Sequence, residues 1–289
     1  MRRTLRTLRR GPGDPAFRVE PDRSIWRATR MPTGVATVRL AQRGPQEVEA
    51  RAWGPGADEA LVQLPELLGA GDDVSTFDPR LTLVSRAHQR HPGVRVMRTG
   101  RVMESLIPAV LEQKVVGADA FASWRRLLRL YGDDAPGPTP VPMKVPPTGE
   151  TWRLVPSWEW HRAGVDPQRA RTAVTCASLE RQLQGAADLD PAAAEARLRA
   201  VPGVGVWTAA EVRQRALGDA DAISIGDYHL AAAIGWTLLG RKIDDAEMVE
   251  VMEPWRPHRG RVVLLLSADG VLAKPRRGPK MARDNHSWH

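Results

Sequence analysis

The chain has 289 residues, a net charge of +8 and one cysteine. That length suits one large domain or two ordinary ones with a real core, and no apolar stretch approaches the roughly 18 to 20 residues needed to cross a bilayer. The lone Cys176 excludes an intrachain disulfide framework, a Cys-ligated iron–sulfur cluster and a Cys-based zinc site, which makes a reducing cytoplasm the simplest location.

The positive charge is uneven. Residues 1–10, "MRRTLRTLRR", carry +5 and residues 271–289 carry +4, which leaves the body between them at −1. Two basic tails, 1–15 and 271–289, therefore flank a nearly neutral body. They suit a polyanion partner, and they equally suit solvated, disordered ends. The first ten residues also share the Arg-rich, acid-free character of a transit peptide, without a cleavage pattern.

Residues 16–53 read as β structure. Ala36, Val38 and Leu40 alternate with Thr37 and Arg39, Gly44-Pro45 makes a turn, and Val48, Ala50 and Ala52 alternate with Glu49 and Arg51. A short helix follows in "GADEALVQLPELLG", interrupted at Pro65 and ended at Gly69. From about residue 80 the apolar spacing is helical. "ESLIPAVLEQKVV" stops near Gly117 and "ADAFASWRRLLRLYG" ends at Gly132. Six prolines between residues 136 and 147 make 134–148 a loop. Helices resume in "PQRARTAVTCASLERQLQG" and in "DPAAAEARLRAV", where Asp190 is placed as N-cap and Pro191 as first residue. A short strand-like "AISI", a helix in "GDYHLAAAIGWTLLG", a final helix over roughly 244–253 and a core-closing "RVVLLLSADG" complete the chain. The expected fold class is α+β: a small antiparallel α+β domain over 16–78, then a larger all-α domain over 79–270.

The segment "AEARLRAVPGVGVWTAAEVRQRAL" reads as helix, tight turn, helix. Gly203 and Gly205 permit unusual backbone angles and leave amides uncovered, and the second helix begins at once. Its N-terminal amides and dipole form an anion site suited to a phosphodiester, with Thr208 as an added hydroxyl donor; such a contact positions a backbone and carries no base information. Asp227 stands at the mouth of a new helix, where an N-cap and a catalytic carboxylate are both admissible readings. A carboxylate there would stabilise the oxocarbenium-like state through which an N-glycosidic bond breaks.

Residues 201–230 resemble the helix-hairpin-helix DNA glycosylase superfamily, and within it the bacterial 3-methyladenine DNA glycosylase II type. The resemblance extends through "FDPRLTLVSRAHQRHPGVRV", "IPAVLEQKVV" and "PWRPHRGRVVLLL", covering roughly 25–268. It implies that the all-α part is a helix-hairpin-helix glycosylase domain and that Asp227 is the catalytic aspartate. It makes Gly203, Val204, Gly205 and Thr208 the phosphate grip, with hairpin carbonyls near Val201 and Val204 that hold a monovalent cation in relatives. No other cofactor or catalytic metal is implied. The implied protein is a bacterial, cytoplasmic, nucleoid-associated monomer that acts on double-stranded DNA containing damaged bases, with no membrane role.

Trp207 occupies the position of the Schiff-base lysine of the endonuclease III branch. Tryptophan forms no imine, so the resemblance implies a monofunctional enzyme that flips the base, removes it with water and leaves an intact abasic site. Trp207 and Tyr228 are expected to line the base pocket, Trp207 having core packing as its other reading.

Three positions depart from the family pattern. Glu211 stands one helical turn after Trp207 where relatives have an aromatic. Ser267 stands, in a loose alignment, where they have a tryptophan. Lys114, after Gln113, stands at the minor-groove wedge. Glu211 is either a solvated charge or a pocket residue that attracts a cationic base, hydrogen-bonds an exocyclic amine, or shares a proton with Asp227 and donates it to the leaving base. The leading expectation is a glycosylase for alkylated purines in base excision repair; the alternative is a non-catalytic DNA-binding relative that senses distorted DNA.

Overall fold

The computed structural model describes residues 1–272; the rest of the expected C-terminal tail lies outside them. Helix α1 (Arg2–Leu5) and a 3-10 turn (Arg6–Leu8) come first, followed by four strands, β1 (Phe17–Val19), β2 (Ile25–Met31), β3 (Gly34–Gln42) and β4 (Val48–Trp53). These form one antiparallel meander in the order β1-β2-β3-β4. The expected hairpin is β3 and β4, in register with Leu40 opposite Ala50 and Val38 opposite Ala52.

The period-two pattern puts Phe17, Ile25, Val38 and Leu40 on one sheet face, against Leu5, Leu67 and Met97. The other face carries Trp26 and Ala28, and Met143 and Val145 of the proline-rich segment pack on it. That segment has little regular structure beyond two residue pairs, β5 (Asp133–Asp134) with β6 (Lys144–Val145), yet it covers apolar surface that would otherwise meet water.

Residues 1–15 were expected to be a basic tail, and they are folded instead. Leu5 is fully buried in the sheet core. Arg10 is buried, with its guanidinium 2.5 Å from Glu112, and its backbone N–H donates to Asp14. The charge count alone missed two leucines and a buried aspartate that anchor the segment.

The helices are α2 (Ala57–Val62), α3 (Leu64–Leu67), α4 (Thr82–Arg90), α5 (Val102–Leu111), α6 (Gly117–Tyr131), α7 (Gly149–Leu154), α8 (Ser157–Arg162), α9 (Pro167–Ser178), α10 (Glu180–Gln184), α11 (Pro191–Arg199), α12 (Val206–Val212), α13 (Leu230–Leu239), α14 (Asp245–Met252) and α15 (Arg259–Asp269). Asp190 caps α11 as expected, accepting from the backbone N–H of Ala192 and Ala193. "AISI" forms no strand and runs into a turn at Ile225, whose backbone N–H donates to Ile223 O at 3.0 Å, and "RVVLLLSADG" is the helix α15, beyond the helix expected to be last.

The helices bury two cores. One is built on α5, α6, α9, α11 and α12 around Leu106, Leu127 and Leu198; the other is built on α4, α13, α14 and α15 around Val84, Ile234 and Leu265. Glu104 of α5 ties the helices to the sheet by accepting from Arg27, Thr29 and the backbone N–H of Arg30. No helix among the described residues is long and apolar enough to cross a membrane.

Candidate active site

The turn between α11 and α12 closes on two glycines with different physical roles. Gly203 has φ +90°, and a Cβ there would lie 2.2 Å from Thr172 Oγ1 on α9. Gly205 has an ordinary extended backbone, and a Cβ there would meet nothing within 4 Å. Gly203 is therefore required by the fold, whereas Gly205 leaves the approach to α12 bare. No side chain caps α12, so its first amides face outward without a partner of that kind, the arrangement that attracts an anion. Gln113, just past α5, donates through Nε2 to Gly203 O and Thr208 Oγ1, each at 2.9 Å. Thr208 is buried and serves this bond rather than projecting to the surface.

Beyond α12 a cavity of about 390 Å³ opens where the two helical cores and the N-terminal segment meet. Glu211 of α12, Asp227 before α13 and Ser267 of α15 share its wall. Asp227 Oδ1 accepts the backbone N–H of His229 and of Leu230, each at 2.8 Å. Both readings of Asp227 thus hold geometrically: it caps α13 and it borders the cavity, and Oδ2 has no partner among the described residues.

Glu211 is buried, and a polar network surrounds it. Ser224 Oγ donates to Oε1 at 2.5 Å, Arg215 Nη1 lies 2.7 Å from Oε2, and Gln214 Nε2 donates to Ser224 Oγ at 3.0 Å. Burial pushes the Glu211 pKa up, but the charge of Arg215, the Ser224 hydrogen bond and the charge of Arg10 outweigh it and hold the carboxyl below its ordinary value. A carboxyl paired in this way favours its ionised form, which speaks for the cation-attracting reading of Glu211 over the one in which it protonates the leaving base. The solvated-face reading is overturned.

No protein-family model matches the chain. A curated protein of Mycobacterium tuberculosis, "Probable bifunctional transcriptional activator/DNA repair enzyme AlkA", is 31% identical over 210 residues, which are 70% of this chain and 37% of that protein. The chain therefore spans little more than a third of the length of this relative. Among solved structures, the 3-methyladenine DNA-glycosylase from Archaeoglobus fulgidus superposes with a TM-score of 0.75 at 18% identity, covering 91% of this chain and 94% of that one. The Clostridium acetobutylicum 8-oxoguanine glycosylase/lyase, in complex with DNA containing cytosine opposite 8-oxoG, gives 0.73 at 11% identity, covering 93% and 90%. The chain shares the fold of these two glycosylases.

Set within the glycosylase fold, the residues expected around the base fall into two groups. Glu211, Asp227 and Ser267 meet at the cavity. Trp207 and Tyr228 are not among the residues that border it: Trp207 is half-buried on α12 and Tyr228 is 82% exposed, edge-on to His229. The two share a helix face but stand one turn, about 6 Å, apart along α12, and only Glu211 borders the cavity. Of the wedge pair, only Lys114 is exposed, in the left-handed region at φ +53°. Gln113 is drawn back onto the hairpin and holds the Lys114 loop and the anion site in fixed relation. Ser224, Gln214 and Arg215 were not foreseen; a run of small and polar residues gives no periodic signal, although Arg215 stands four residues after Glu211, the spacing of a helical ion pair. A π-turn follows α12 over Arg213–Leu217, and it is invisible to a 3.6-residue reading.

The two glycines make a paired prediction. Gly205→Ala is expected to keep the melting temperature and weaken duplex binding about tenfold, since a methyl group on the bare approach displaces one or two phosphate hydrogen bonds. Gly203→Ala is expected to destabilise by about 2 kcal/mol or more through its backbone angle and the Thr172 clash. Calorimetric melting and fluorescence-anisotropy titration separate them.

Proposed function

We propose that the chain is a monofunctional DNA glycosylase that hydrolyses the N-glycosidic bond of alkylated purines in base excision repair. The observation that carries this reading is Asp227, one carboxylate oxygen fixed by two amides and the other without a partner among the described residues, on the wall of a cavity large enough for a purine. The uncapped turn before α12, the helix that carries Glu211 to the cavity wall, supplies the grip on DNA.

In this reading the hairpin amides hold a phosphodiester of a bent duplex and Lys114 enters the minor groove. The damaged nucleotide turns out of the stack into the cavity. The C1′–N bond breaks with its electron pair going to the base, and the Asp227 carboxylate stabilises the positive charge growing on the sugar. Water adds to C1′, its proton leaves to Asp227 or solvent, and an abasic site remains. A purine alkylated on a ring nitrogen carries positive charge already, so it departs neutral and needs no proton donor. That agrees with a Glu211 held as an anion. The acceptor oxygens of Glu211 and Ser224 suit such a base and its exocyclic amine.

No lysine borders the cavity among the described residues, which supports hydrolysis over imine chemistry. The carbonyls of Val201 and Val204 are the oxygens that would hold a monovalent cation beside the anion site; Val201 O already accepts from Val204 N–H at 3.0 Å within the turn, which leaves its second lone pair for an ion. Neutral oxygens suit a hard ion of low charge.

The test is release of free base from methylated duplex DNA, each sample split with and without alkali. Free base with strand breaks only after alkali is expected. Breaks without alkali would make the enzyme a lyase, and DNA binding without base release would leave a non-catalytic sensor of distorted DNA.

A further inference from the structure

The segment Thr4–Arg9 is a repeat, Thr-Leu-Arg-Thr-Leu-Arg. A period of three matches a tight helical turn, so each residue type falls on its own stripe. Leu5 enters the sheet core and Leu8 packs at its edge, while Arg6 and Arg9 are exposed. The threonine stripe, Thr4 and Thr7, borders the cavity that Asp227 and Glu211 share.

Thr4 is only 3% exposed as a residue and Thr7 is exposed; neither hydroxyl has a hydrogen-bond partner among the described residues, which leaves both free to bond a molecule in the cavity. The segment is also fixed in place: Arg215, which pairs with Glu211, donates through Nε to Thr7 O at 3.1 Å. One guanidinium therefore joins the N-terminal segment to the polar wall of α12.

We infer that the N-terminal segment is a wall of the substrate pocket, with the Thr4 and Thr7 hydroxyls as specificity-determining contacts to the polar edge of the flipped purine. This rests on the reading of the cavity as the base pocket. The α12 wall offers mainly acceptor oxygens. The threonines add hydroxyls that donate as well as accept, so a ring nitrogen or carbonyl on the base finds its donor there. The pocket selects by hydrogen bonding on two walls where its relatives are expected to stack aromatic rings.

The experiment compares wild type with the double variant Thr4→Val, Thr7→Val, and with Thr4→Ser, Thr7→Ser. The first keeps shape and removes both hydroxyls; the second keeps the hydroxyls and removes a methyl group from each. The readout is the ratio of single-turnover release rates for 3-methyladenine and 7-methylguanine, beside the melting temperature and affinity for DNA carrying a tetrahydrofuran abasic analogue. The valine variant is expected to change the release ratio about tenfold, the effect of one lost hydrogen bond, with abasic-DNA affinity unchanged; the serine variant is expected to keep the wild-type ratio. An unchanged ratio in the folded valine variant, or equal changes in both variants, overturns the inference and leaves the glycosylase reading standing. If wild type releases neither base, binding of free adenine and guanine is measured instead. Binding whose preference the valine variant alters supports the wall without the chemistry, binding the variant leaves unaltered overturns the wall, and no binding overturns both readings.

Discussion

Asp227→Asn is expected to lower the single-turnover rate of base release by about a thousandfold, with the fold and the affinity for DNA unchanged. The substitution is chosen because Asp227 has two jobs in one side chain. As a cap, its Oδ1 accepts the N–H groups of His229 and Leu230; asparagine retains that acceptor and ranks with aspartate at this position. As an electrostatic group, it loses its charge. A structural role is preserved and a role in charge stabilisation is removed, so the melting temperature and the rate respond separately. A rate within about tenfold of wild type, roughly 1.4 kcal/mol on the barrier, would reduce Asp227 to a cap and shift attention to other polar atoms on the cavity wall.

The same ambiguity shows what a sequence can and cannot carry. The β3–β4 hairpin was legible because Val38, Leu40, Val48 and Ala50 keep strict alternation, and one face of a sheet must be apolar; β1 and β2, which complete the meander, were not resolved as separate strands. The helical hairpin was legible because Pro202, Gly203 and Gly205 have few other uses between two helical patterns. The cavity was only half legible. Glu211 follows Trp207 by four residues and was assigned to the same face, but the cavity reaches only the second of these two turns, so Glu211 borders it and Trp207 does not. Its pairing with Arg215 depends on a local helical spacing; its contact with Ser224 depends on a chain reversal with no periodic signature. The N-terminal segment was misread for a different reason. Net charge weighs five arginines equally, although Arg10 is buried on Glu112 while Arg6 and Arg9 face solvent. What decided the fold was the leucine stripe between them, one residue in three, too sparse to register as amphipathic.

Glu211→Gln is expected to cost about 3 kcal/mol of stability at neutral pH, the magnitude of breaking a buried ion pair from one side. Glutamine keeps the volume and an acceptor for Ser224, but it leaves Arg215 without the charge that its burial requires. The pH dependence fixes the cause. In the folded state the Glu211 carboxyl is held below its ordinary value of 4.5, because Arg215, Ser224 and Arg10 together outweigh the effect of burial. A depressed folded pKa means that the stabilisation is complete above about 4.5 and is lost as pH falls through the folded value, where the wild-type side chain protonates as well. Denaturant titrations should therefore show a gap between wild type and variant that is constant from neutral pH down to about 5 and narrows on further acidification. A gap that persists unchanged through the acid range would assign the loss to packing and not to charge. The functional consequence runs the same way: with Arg215 no longer neutralised, the wall next to Asp227 becomes positive, and a cationic alkylpurine is disfavoured there relative to a neutral base. The variant's preference between a methylated purine and hypoxanthine should move toward hypoxanthine, which ties the electrostatics of one buried pair to the choice of substrate.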